Sequence, residues 1–195
     1  MQHLFLTRCL LGMFDEKELV AKIINGDLRA FELLVKQYQK LVFHVVNRII
    51  DNQEDAEDIC QEVFILVHKT IGKFRFESKL STWIARIAYV TAINYLRKYR
   101  KNKTTDSRID QFHFTEENPQ NLLSKKEESN YVNMLINQMP EQYKTVLTLY
   151  HLNEFSYQEI EEITQMPEGT IKSYLFRARK LLKEKLSVYL KKELL

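Results

Sequence analysis

Glycine and proline are scarce, with 4 and 3 in 195 residues. A chain so short of turn formers is poorly suited to a many-stranded β fold and favours helices. Cysteine is nearly absent: Cys9 and Cys60 stand far apart, without metal-ligand spacing. Two such thiols fit a reducing compartment better than a disulfide scaffold. No apolar run approaches the ~20 residues of a membrane span. The opening MQHLFLTRCLLG is interrupted by Arg8 and lacks a small-residue cleavage site, so it does not read as a signal peptide. These absences lead us to expect a cytoplasmic protein with no membrane insertion. There is also no phosphate loop, zinc-ligand cluster or nucleophile–base spacing. His44, His68, His113 and His151 are scattered, without partners of the right type nearby. No catalytic residue, metal or cofactor is therefore expected, and nothing supports an enzyme. The net charge is only +3, so where the charges lie matters more than their sum.

What is present is helical periodicity, and it is clearest near the C-terminus. In SYQEIEEITQMPEGTIKSYLFRARKLLKEK (Ser156–Lys185), Ser156 and Glu159 have the spacing of a capping box. A short helix over Tyr157–Thr164 would place Ile160 and Ile163 inward. Gln165-Met166-Pro167 breaks it, because proline cannot continue a helix. A second helix is expected from Glu168, with Ile171, Leu175, Ala178 and Leu182 as its apolar stripe. The opposite side carries Lys172, Ser173, Phe176, Arg177, Lys180 and Lys183. An aromatic exposed among cations has no folding purpose there. It suits the DNA major groove, where Arg and Lys meet guanine edges or phosphates and Phe meets a thymine methyl. A solvated amphipathic helix is the plainer reading of the basic face alone.

The front of the chain is organised differently. Asp15 is expected to cap a helix over 16–25, with Glu18 closing a capping box and Gly26 ending it. Asp27 would cap a second helix reaching about Ile50, its apolar face built from Phe31, Leu34, Tyr38, Val42, Val45 and Ile49. The third, residues 53–71, buries Ala56, Ile59 and Val63. Its other face carries Asp55, Asp58, Gln61 and Glu62. Acids at a helix start are favoured by the macrodipole, but that does not account for Gln61 and Glu62, two turns in. After Gly72, the loop KFRFESKLS places Lys73, Phe74, Arg75, Phe76 and Ser78 close together. One phenylalanine is expected to tuck into the core and the other to serve as a stacking platform for an unpaired base. A fourth helix follows. Trp83 lies mostly on its core side, and Arg86, Asn94, Arg97 and further bases to Lys103 make its exposed side basic.

Between Asn102 and about Glu128 periodicity fails and Pro119 appears, which reads as a linker. Helix resumes near Lys125–Gln138, and Pro140 introduces another. The expected architecture is all-α: two small helical domains, 13–101 and 129–195, joined by a flexible linker over 102–128. Residues 1–12 read as an extension before a translation start at Met13.

Two helical modules in this order resemble the bacterial RNA polymerase sigma factors, most closely the small two-domain extracytoplasmic-function group. The resemblance covers about 16–101 and 125–187. DAEDICQEVF (Asp55–Phe64) is similar to the family's polymerase-binding motif. FRFESKLSTWIARIA (Phe74–Ala88) with NYLRK (Asn94–Lys98) is similar to its promoter −10 segment, and Met139–Leu182 to its −35-binding domain. Where vegetative members have two adjacent tryptophans, this chain has Trp83 then Ile84, leaving Trp83 either a wedge or a core residue.

By position, the resemblance implies an initiation factor. Asp55, Asp58, Gln61 and Glu62 would meet the clamp helices of the largest subunit of core RNA polymerase. The second module would meet the flap of the second-largest subunit. Lys73, Phe74, Arg75, Phe76, Ser78, Trp83, Arg86, Asn94 and Arg97 would serve the −10 element. Lys172, Ser173, Phe176 and Arg177 would read the −35 element, with Thr170 and Lys180 on phosphates. An anti-sigma factor is a further implied partner. The competing reading is a dimeric helix-turn-helix regulator that binds DNA without polymerase.

Overall fold

The computed structural model describes residues 15–102 and 125–193, with side chains over 15–99 and 131–187. Every regular element among the described residues is helical. The expected N-terminal extension and nearly all of the expected linker lie outside them.

The first module holds α1 (Glu16–Ile24), α2 (Leu28–Val46), α3 (Gln53–Thr70) and α4 (Leu80–Asn102). Each of the first three begins at a side-chain cap. Asp15 accepts from the Lys17 N–H, Asp27 from those of Arg29 and Ala30, and Asn52 from that of Asp55, which relieves the orphan donors of a helix start. Gly26, at φ 87°, turns the chain between α1 and α2. The apolar faces converge on Val20, Leu34, Val42, Val46, Ile59, Val63, Val67, Ile84 and Ala88, all buried. Burying each larger aliphatic side chain is worth about 1.5–3 kcal/mol. The Tyr38 hydroxyl donates to Glu16 at 3.1 Å and ties α1 to α2.

Three local expectations need correction. Glu18 closes no capping box: it pairs with Lys22 at 2.7 Å, one turn on. Helix α2 ends at Val46, not near Ile50, and Asn47 is its C-cap. The residues beyond it, Ile49 and Ile50, remain buried. Helix α3 stops at Thr70, and a 3-10 turn over Ile71–Lys73 follows.

The second module holds α5 (Lys125–Asn137), α6 (Glu141–His151), α7 (Tyr157–Thr164) and α8 (Glu168–Glu193). Ser156 and Glu159 form the expected capping box, and Gln165 turns the chain in the left-handed region at φ 60°. Ile160, Ile163, Ile171, Leu175 and Ala178 are buried between α7 and α8, while Leu182 is only partly covered.

The two modules also pack against each other. Helix α4 packs along α7, and the end of α2 meets α6. Residues Lys144–Leu149 of α6 are all buried, because its own module covers one side and the first module the other. Thr82 and Ala85 of α4 are likewise buried, on a face that periodicity within the first module does not explain.

Candidate nucleic-acid and partner interfaces

Three surfaces stand out, built on different elements. The first is the outer face of α3. Asp58, Gln61 and Glu62 are exposed, because Ala56, Ile59 and Val63 turn the opposite side inward. Asp55 is half-covered, since the Tyr95 hydroxyl of α4 donates to it. That bond raises the Tyr95 pKa, chiefly by stabilising the protonated hydroxyl. Beside the acidic face runs a groove of about 510 Å³ between α2 and α3, lined by Phe43, His44, Cys60, Gln61 and Phe64 among others. Burial, then the Glu57 carboxylate, pushes the Cys60 thiol up to about 11, which disfavours the thiolate. Phe43 and Ile65, 41% and 53% exposed, extend this surface with apolar area. Sequence reasoning missed both. Ile65 follows Gln61 and Glu62 at helical spacing, which was the available signal.

The second surface is the loop from Lys73 to Lys79 with α4. One of its two phenylalanines is buried and the other exposed. Phe74 is buried, its ring 5.3 Å from that of Trp83, and Phe76 is 40% exposed with its ring 4.7 Å from Phe74. Phe76 sits at φ 57°, a region costly for a side chain with a Cβ. Trp83 is half-buried against the core. Lys73, Arg75, Arg86, Asn94 and Arg97 are exposed, and Ser78 is partly covered. Lys17 of α1, with its ammonium 6.0 Å from the Phe76 ring centre, is an addition that only the tertiary fold reveals.

The third surface is the outer side of α8. Phe176 is 69% exposed, flanked by exposed Lys172, Ser173, Arg177 and Lys180, with Thr170 partly covered. Several of these cations have intramolecular partners. Lys172 pairs with Glu168 and lies 5.4 Å from the Tyr157 ring centre. Arg177 donates to the Tyr143 hydroxyl at 3.4 Å. Arg179, not expected to contribute, is exposed over the Tyr150 ring at 5.1 Å and donates to His151. Burial and that guanidinium lower the His151 pKa, leaving a neutral acceptor. Such contacts hold long side chains in place before a ligand arrives, which lowers the ordering cost of binding. Among the described residues, no group of acidic, histidine or cysteine side chains is arranged to hold a metal.

Comparison with known proteins decides the family. Residues 34–102 match the Sigma-70 region 2 model, and residues 129–182 match that of Sigma-70, region 4. The RNA polymerase sigma-H factor of Pseudomonas aeruginosa is 33% identical over 186 residues, covering 91% of this chain and 96% of that protein. The ECF RNA polymerase sigma-E factor of Escherichia coli K12 is 35% identical over 179 residues, covering 87% and 93%. The chain belongs to the extracytoplasmic-function sigma factors.

The fold of this sigma factor is shared with two solved relatives. One is CnrH in complex with the cytosolic domain of CnrY: TM-score 0.62, 17% identity, 87% of this chain and 96% of that one. The other is the sigma factor RpoE in complex with the anti-sigma factor NepR from Bartonella quintana: TM-score 0.63, 19% identity, 83% and 99%. The acidic face and the aromatic loop of the sigma factor fall within the region 2 match, and the α8 surface falls within the region 4 match. No helix among the described residues is long and apolar enough to cross a membrane.

Proposed function

We propose that this alternative sigma factor divides its work among the three surfaces. It binds core RNA polymerase and directs promoter-specific initiation. In our reading the α3 face, with Asp58, Gln61 and Glu62 foremost and Asp55 at its edge, docks onto the clamp helices of the largest subunit. The second module meets the flap of the second-largest. Residues 13–101 serve the −10 element and residues 129–195 the −35 element, in the cytoplasm and without catalysis by the sigma factor itself.

The observation that carries this reading is one module with surfaces of opposite character. The acidic α3 face is exposed, and the aromatic loop and basic α4 side are exposed as well. An acidic surface repels DNA and suits a basic protein partner; a basic surface with an exposed ring suits DNA strands. The loop would hold a base flipped from the non-template strand on Phe76, with Ser78 alongside. Unstacking that base costs a few kcal/mol, so the receiving site must repay it by stacking. Phe74 and Trp83 support the platform from beneath. Arg86, Asn94 and Arg97 lie on the helix that would follow the strand, with Lys73 and Arg75 at its start. On α8, Lys172, Ser173, Phe176 and Arg177 would read the −35 element, and Thr170 and Lys180 would contact phosphates. Of the two solved relatives, CnrH is in complex with the cytosolic domain of CnrY, and the sigma factor RpoE is in complex with the anti-sigma factor NepR. A protein of that kind is the expected regulator here.

The test is co-purification. Tagged wild-type protein should bring down core polymerase, and Asp58→Lys with Glu62→Lys should lose at least 100-fold in affinity while still folding. Undiminished binding by the double variant would remove the assignment of the α3 face.

A further inference from the structure

Lys17 stands where local electrostatics give it no reason to be. It is the second residue of α1, at the positive end of the helix macrodipole, where acids are favoured and cations are not. Acids surround it: Asp15 caps the helix, and Glu16 and Glu18 share its first turn. Each is engaged elsewhere. Asp15 accepts from the Lys17 backbone N–H at 2.9 Å, Glu16 accepts from the Tyr38 hydroxyl at 3.1 Å, and Glu18 pairs with Lys22 at 2.7 Å. Among the described residues the Lys17 ammonium has no carboxylate partner. It lies instead over the Phe76 ring, 6.0 Å from its centre. Helix α1 is fixed in that position, because Leu19, Val20 and Ile23 are buried and the helix packs on the 3-10 turn that leads into the loop.

The spacing leaves room for one more layer. At 6.0 Å the ammonium is at the outer limit of a cation–π contact, so it holds the ring only weakly. A base stacked on Phe76 would lie ~3.4 Å above it, the step of a stacked strand. The ammonium is then within hydrogen-bonding reach of that base, and its flexible four-carbon stem can slide to the base edge. A phosphate is the poorer partner there: three carboxylates share the turn, and the loop already offers exposed Lys73 and Arg75. A neutral base edge meets no such repulsion. An ammonium donates and never accepts, so it favours a base that presents a carbonyl oxygen. Guanine, cytosine and thymine do; adenine offers only ring nitrogens beside an amino donor.

We propose that Lys17 and the Phe76 ring form a slot for one unpaired base, in which Lys17 is a specificity-determining residue that selects a carbonyl-bearing base over adenine. The ring supplies stacking that every base accepts, and the ammonium supplies the choice among them. Helix α1, outside the motifs that the sequence alone singles out, thereby becomes part of the promoter-reading surface. The slot deepens the platform reading above and rests on it.

The experiment assembles holoenzyme from core polymerase and the full chain, and selects bound sequences from randomised single-stranded oligonucleotides. The slot position is the one where an abasic site removes the difference between wild type and Phe76→Ala. There the wild type should favour carbonyl-bearing bases over adenine by about tenfold, the scale of one good base contact. Lys17→Met keeps the length of the side chain and loses its donors. It should melt with the wild type, because Lys17 is exposed, and should lose the preference at that position alone. Lys17→Arg keeps donors and charge and should keep the preference. The salt dependence of Lys17→Met binding should match the wild type, since no phosphate contact is removed. An intact preference in Lys17→Met would overturn the slot, as would adenine favoured by the wild type. A salt slope reduced by about 0.7 would place Lys17 on a phosphate and overturn it too. Failure of the underlying platform looks different: Phe76→Ala would then bind every oligonucleotide as the wild type does. A Phe76 effect without a Lys17 effect removes the slot and leaves the platform standing.

Discussion

The Phe76 ring packs 4.7 Å from that of Phe74, and left-handed backbone puts it there, at φ 57°. One ring is buried and the other displayed, two residues apart. A left-handed residue with a Cβ costs about 1–2 kcal/mol. Such strain persists where the surroundings over-determine it, commonly at functional sites.

Phe76→Gly should separate strain from function. Glycine adopts this conformation freely, so the variant should be as stable as wild type or up to about 1 kcal/mol more stable in thermal unfolding. Promoter opening should fall about tenfold, because a stacked base is worth ~1–3 kcal/mol. Phe76→Ala should open promoters equally poorly and gain no stability. Fluorescence of a 2-aminopurine in the −10 element reads the opening. Normal opening by both variants would discard the platform.

Phe176 is too exposed to matter to the fold. Phe176→Ala should leave stability within about 0.5 kcal/mol. Transcription from a promoter that depends on its −35 element should drop about tenfold, on the scale of ~1–3 kcal/mol for a lost base contact. Tyr143→Phe removes the acceptor for Arg177 and keeps the ring. It should cost a few-fold at the same promoter and little elsewhere. Equal losses at promoters lacking a −35 element would point to damage of the module instead.

Glu159 predicts a pH dependence. Burial raises its pKa, but the Ser156 backbone N–H and then the Lys79 ammonium outweigh that and hold it below the ordinary 4.5. A carboxylate depressed in the folded state contributes stability that is present above the unfolded value and lost as pH falls through the folded one. Acid should thus weaken the α7 cap and the contact between the modules together below about pH 4.5. Glu159→Gln should be less stable at neutral pH and should lose that part of the acid dependence. Ser156→Ala should cost about 1 kcal/mol through the cap alone. Parallel stability–pH curves for wild type and Glu159→Gln would contradict this account.

Much of this was legible in order along the chain. Caps are local, so Asp15, Asp27 and the Ser156–Glu159 box announced their helices. Helical period told which side of α3 and of α8 faces outward, and it placed Asp58, Glu62 and Phe176 correctly on exposed surface. The division between Phe74 and Phe76 was expected in kind, but not which ring would be buried. Glu18 was misplaced because two local partners compete for it, and Lys22 one turn on wins over the cap. Lys17, Tyr143 and Arg179 entered only with the fold, since their partners are distant in sequence.

By itself the sequence determined the helices, their faces and the order of the modules, because propensity, capping and amphipathic period act within a few residues. The tertiary structure alone decided that the modules close on one another. Arg48 meets Thr148 a hundred residues on, and no local rule pairs them. A six-residue run of α6 is buried, although helical period alone would leave one side of it in water. That burial depends on which surfaces meet, a property of the packed whole and not of any stretch of chain.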